Sequence, residues 1–110
     1  MADVAKKLYE GAPAVTDTLL YTAPATPTTG SAAVRAIHVA NTTAAAATIT
    51  LGLNAGAALA AANHFLSAHS VPANGELDWS GFQVIDASGT IRALQGTASA
   101  LTVTISGVEL

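Results

Sequence analysis

Near the end of the chain, Leu101, Val103 and Ile105 alternate with Thr102, Thr104 and Ser106. Side chains two apart on a strand share a face, so this run predicts a strand with one apolar and one hydroxyl-bearing face. The same period recurs at residues 48–53, where Ile49, Leu51 and Leu53 alternate with threonine and glycine. Residues 33–41 repeat it again: Ile37 and Val39 share a face with Arg35, and Val34, Ala36 and His38 share the other. Further strands are expected at residues 6–10, 16–22, 63–71, 76–85 and 90–94. Their β-favouring Thr, Tyr, Val and Ile are bounded by turn residues such as Gly11, Pro24, Pro72 and Gly89.

Asn74-Gly75 and Ser88-Gly89 lie between apolar runs, as at hairpin turns. Residues 71–110 therefore predict two or three consecutive antiparallel strands. Residues 33–41 and 48–53 predict a second hairpin, turning through Asn41-Thr42-Thr43. Residues 23–31 contain Pro24, Pro27 and Gly30 and read as a loop. Residues 54–62 are rich in alanine, but the run is shorter than the roughly 12 residues an isolated helix needs. A loop with at most one helical turn is expected there. The fold class is thus all-β: a single-domain antiparallel β-sandwich or jelly roll over residues 1–110, with about seven to eight short strands. Residues 1–5 are expected to form a flexible N-terminal arm.

Composition adds two constraints. Hydrophobic residues make up 51% of the chain, but much of that is alanine and aromatics reach only 5%, so the core should be thin. Charged residues make up 10%, against about 25% in ordinary globular domains. A surface this poor in charge suits a chain packed into an assembly. Base composition favouring Ala and Thr is a partial cause of the same bias.

The formal charge of −3 with four basic residues argues against nucleic-acid binding, which needs clustered cations. No apolar run is long enough to span a membrane, and the N-terminus lacks the pattern of a signal peptide. The absence of cysteine removes disulfides, thiolate ligands and a cysteine nucleophile.

Candidate chemistry is sparse. The histidines are His38, His64 and His69; the last two are five apart, on opposite faces of a regular strand, so no metal site is expected from them. Asp78 and Asp86 could share a face as a carboxylate pair, but a bulge at Gly81 would break their register. No Gly-x-Ser-x-Gly elbow and no phosphate loop occurs. Asn41-Thr42-Thr43 matches a glycosylation sequon but reads as a turn. Trp79, Phe82 and Tyr21 could stack a sugar, although such aromatics more often fill a small core. No enzymatic activity, catalytic residue or cofactor is expected.

The whole chain resembles small virion proteins of tailed bacteriophages, especially head decoration (capsid cement) proteins. The resemblance runs through Leu19-Leu20-Tyr21-Thr22-Ala23-Pro24, residues 34–41 with 48–53, and Val71-Pro72-Ala73-Asn74-Gly75. It continues to the terminal Ile105-Ser106-Gly107-Val108-Glu109-Leu110. It implies a compact β-fold, no catalytic residues, and a homotrimer bound to the major capsid protein of an assembled capsid. The chain would be made in the bacterial host cytoplasm and end on the capsid surface. Ala2, Asp3, Val4, Ala5, Lys6 and Lys7 are the expected capsid-contact arm, since an uncommitted strand can add to an exposed edge. The alternative is a carbohydrate-binding or host-adhesion module in a tail or fibre.

Overall fold

In the computed structural model the alternating runs become eight β-strands, and no α-helix occurs among the described residues, 4–23, 31–54, 58–59 and 63–109. They are β1 (Val4–Gly11), β2 (Thr18–Thr22), β3 (Ala32–Asn41), β4 (Ala47–Leu53), β5 (His64–Val71), β6 (Glu76–Ile85), β7 (Thr90–Gln95) and β8 (Leu101–Glu109). Two four-stranded sheets form, ordered β1-β8-β3-β6 and β2-β7-β4-β5, and neighbouring strands pair antiparallel throughout. This is the double-sheet arrangement of a jelly roll. The possible helical turn after Asn54 falls mostly outside the described residues.

The expected hairpins are corrected by this topology. Among the described residues, β4 and β5 are the one pair of consecutive strands that bond to each other. Asn74 (φ 54°) and Ser88 (φ 62°) do make tight turns, closed by Gly75 N donating to Pro72 O and Gly89 N to Asp86 O. Those turns carry the chain from one sheet to the facing one, as does the connection from β3 to β4. The physical reason is that a tight reversal suits either path. Two consecutive strands, each with one apolar face, bury both faces by crossing the sandwich, and the edges are satisfied by distant partners.

A second correction concerns β3. A bulge between Val34 and Ala36 shifts its register against both β6 and β8. Val34 therefore joins Ile37 and Val39 inside, and Arg35 is exposed. The extra residue of a bulge reverses the facing of one side of the strand relative to the other, so simple alternation carried back from Ile37 misplaces Val34 and Arg35. On β6 the same irregularity falls at Gly81 and Phe82, in keeping with the break expected at Gly81.

Leu8, Val34, Ile37, Val39, Leu101, Val103 and Ile105 of one sheet meet Ile49, Leu51, Val71, Ile91 and Ala93 of the other. No aromatic side chain is among the fully buried ones, so the core is as thin as composition suggests. Phe65 of β5 and Trp79 of β6 meet edge-on at 4.9 Å and close one flank of the sandwich.

Gln95 is the one large polar side chain that is fully buried among the described residues. Its Nε2 donates to Pro13 O, and its Oε1 accepts from Leu101 N at 2.8 Å. It thereby holds the segment before β2 and the start of β8 on the end of β7. Gln95→Met keeps the volume and strips both bonds. It should cost about 2 kcal/mol, because each stranded backbone group costs roughly 1–3 kcal/mol. A urea midpoint equal to that of the parent would show that these bonds contribute nothing.

Tyr21 of β2 ties the two sheets together by donating to Glu109 of β8 at 2.6 Å, and Lys6 reaches the same carboxylate at 3.3 Å. The Tyr21 hydroxyl, helped by Lys6 and opposed by desolvation, holds the Glu109 carboxyl below its ordinary value of 4.5. Burial, then the hydrogen bond to Glu109, pushes Tyr21 above its ordinary value of 10.0. A carboxyl lowered in the fold contributes stability above its unfolded value and loses it as pH falls through the folded one. A raised phenol contributes below its unfolded value and loses it at higher pH. Melting temperature should therefore fall below pH 4.5 and again above pH 10.0, and Tyr21→Phe should flatten both slopes. Identical pH profiles for parent and variant would contradict this.

Candidate functional site

Alternation along three neighbouring strands builds one polar surface. On the outer face of the β1-β8-β3-β6 sheet, Ala36, His38 and Ala40 of β3 stand beside Ser106, Thr104 and Thr102 of β8. On their other side are Ser80, Asp78 and Glu76 of β6. The residues between them, including Ile37, Val39, Val103 and Ile105, face the core. A shallow depression of about 240 Å³ opens on this surface, lined by Ala36, His38, Asp78, Ser80, Thr104 and Ser106 among others.

His38 lies directly opposite Asp78, and its Nδ1 is 2.5 Å from the Asp78 carboxylate. Its Nε2 is 3.7 Å from Glu76, two residues along β6 on the same face. The hydrogen bond to Asp78 raises the His38 pKa above the ordinary 6.5; desolvation opposes this, and the charges of Asp78 and Glu76 reinforce it. Both ring nitrogens face carboxylates, so the ring is not aimed at Thr104 or Ser106 as a base must be aimed at its nucleophile.

The other candidates are scattered. His64 and His69 lie on β5, in the opposite sheet from His38, so the imidazoles do not converge. Asp78 is mid-strand while Asp86 follows the end of β6. Eight residues of strand, at about 3.3 Å each, separate them by roughly 25 Å, far beyond a catalytic carboxylate pair. Trp79 packs against Phe65, and Tyr21 is engaged with Glu109. Phe82 is 55% exposed, with the Arg35 guanidinium 5.7 Å from its ring centre. The three aromatics thus form no common platform. Asn41 is buried, and its amide donates to Ala45 O and Val71 O and accepts from Thr43 N and Oγ1. The sequon is a structural turn.

The expected arm begins to pair at Val4. Val4, Ala5, Lys6 and Lys7 lie opposite Glu109, Val108, Gly107 and Ser106 of β8, and Ala2 and Asp3 fall outside the described residues. β1 is an edge strand, so its outer side still lacks a strand partner within the sheet. The opposite edge, β6, carries exposed Phe82 and Val84.

The convergence of His38, Glu76 and Asp78 is not readable from the sequence. Alternation does place His38 on a face with Ala36, and Glu76 with Asp78. The missing information is that β3 and β6, 40 residues apart at His38 and Asp78, are neighbours.

No protein-family model matches the chain, and no curated protein matches it. Among solved structures it is similar to a crystal structure of a viral major capsid protein, STIV MCP, with a TM-score of 0.35 and 15% identity. That alignment covers 100% of this chain and 49% of the capsid protein, so the chain spans about half of its length. A likeness this distant carries no argument about function.

Proposed function

We propose that the chain is a virion structural protein: a head decoration protein of a tailed bacteriophage that sits on the assembled capsid as a homotrimer. The observation that carries this reading is the eight-stranded jelly-roll order, an architecture used by viral capsid domains and also by lectins and cupins. Two further features favour a structural role over those alternatives. The space between the sheets is filled by aliphatic side chains, and the aromatic residues that could have stacked a sugar are dispersed. Exposed Phe82, Val84 and Leu19 and a low density of charge suit burial against other subunits.

The partner in this reading is the major capsid protein. Three-fold symmetry suits the task, since three equivalent capsid edges meet three equivalent subunits. Weak contacts made together multiply in affinity. Residues 2–7 remain the proposed contact. Because Val4 to Lys7 already pair with β8, the contact runs through the outer edge of β1 rather than through a free arm. No catalytic step, cofactor, membrane or nucleic acid enters this role. Purified protein should sediment as a trimer and pellet with undecorated capsids to saturation. A monomer that stays in the supernatant would contradict the proposal.

A further inference from the structure

We propose that His38, Glu76 and Asp78 form a binding site for a borderline divalent cation of the zinc class on the outer face of the β1-β8-β3-β6 sheet. The argument starts from the backbone. Register sets His38 opposite Asp78, and the pleat puts Glu76 on the same face two residues earlier, opposite Ala40. Two hydrogen-bonded strands therefore hold three ligand types together without help from a loop. One ligand atom from each residue lies within 4.8 Å of the others. Two ligands bound at about 2.1 Å to one tetrahedral zinc stand roughly 3.4 Å apart. His38 Nε2 and the Glu76 carboxylate, at 3.7 Å, nearly match that gap. Asp78 is held at the other ring nitrogen, Nδ1, and joins the same set by giving up that hydrogen bond.

The donor types select the ion. An all-oxygen cluster would suit calcium or magnesium, whereas an imidazole moves the preference toward zinc, copper or nickel. Two carboxylates against one imidazole also supply the negative charge that a divalent cation neutralises. The cluster stays open on the solvent side. Its neighbours Ala36, Ala40 and Thr104 are small, and the adjoining depression leaves room for water or a partner's side chain in the fourth position. Side-chain exposures of 42% for His38, 61% for Glu76 and 63% for Asp78 mean that the ion exchanges readily and binds more weakly than in a closed four-ligand site.

The test is calorimetric titration of untagged protein with zinc chloride at about pH 7.5, with the proton released from His38 counted in the heat. One site should appear below about 1 mM, and magnesium should not compete for it. His38→Ala should abolish binding, and Glu76→Gln and Asp78→Asn should each weaken it by about tenfold or more. A double variant, His64→Ala with His69→Ala, should bind zinc like the parent, because those rings lie on the other sheet. In histidine-ring NMR spectra of the parent, zinc should move the His38 signals and leave the other two in place. Circular dichroism of His38→Ala should match the parent, since the residue is on the outer face. Absence of binding at about 1 mM would overturn the proposal. So would binding that survives His38→Ala, or binding that is lost in the His64/His69 double variant.

Discussion

Ile105→Ala is expected to lower the free energy of unfolding by about 2–5 kcal/mol, the usual cost of truncating a buried aliphatic to alanine. Ile105 is fully buried on β8, which lies between β1 and β3 in its sheet, and it stands opposite Tyr9 on one side and Ile37 on the other. Leu51→Ala should cost a similar amount, because Leu51 holds the matching place on β4, between β7 and β5. The core consists of Ile, Leu, Val and Ala, with no fully buried aromatic ring able to tilt into the space left behind. Small domains are stable by only about 5–15 kcal/mol, so either change should remove a large share. The readout is the urea midpoint at constant slope. Thr102→Ala, on the exposed face of β8, is the control and should stay within about 0.5 kcal/mol. A midpoint unmoved by Ile105→Ala would mean that the inner face of β8 has been assigned wrongly.

The second large effect is expected at Gly107. A Cβ at this position would overlap Ala33 O and lie 3.2 Å from Leu8 Cδ1. Ala33 O belongs to the backbone of β3, which pairs with β8 at this point. It can retreat only if the ladder opens. Gly107→Ala should therefore cost roughly 3 kcal/mol or more, at the upper end of overpacking penalties. Gly96 offers a contrast. There the Cβ would meet Thr48 Oγ1 at 2.5 Å, the tip of a side chain that can rotate away. Gly96→Ala should cost less than about 1 kcal/mol, as at an ordinary exposed position. Equal effects at the two glycines would show that backbone crowding at β8 is not what reserves position 107 for glycine.

The strands are legible in the sequence because each buries one face, and period-two alternation records that directly. Leu101, Val103 and Ile105 are all buried, as the alternation at the end of the chain implies. Pairing is much less legible. Asn74-Gly75 and Ser88-Gly89 announce reversals but not which sheet receives the returning strand. Long-range partners such as Ala33 and Val108, or His38 and Asp78, leave no local mark. The bulge beside Val34 leaves no mark on β3 itself, where no glycine or proline stands, and Gly81 on the facing β6 is its one sign in the sequence. Gln95 escapes notice for a related reason. Its burial depends on Pro13 O and Leu101 N, groups brought together by the fold from opposite ends of the chain. The His38–Glu76–Asp78 cluster shares that origin: each residue type is visible, and the crossing that joins them is not.

The virion role is tested most directly by locating the protein. Mass spectrometry of purified virions, with immunogold labelling by an antibody to this chain, should find it as a stoichiometric component and place gold over the heads. Gold confined to the tails, or absence of the protein from purified virions, would contradict a capsid decoration role.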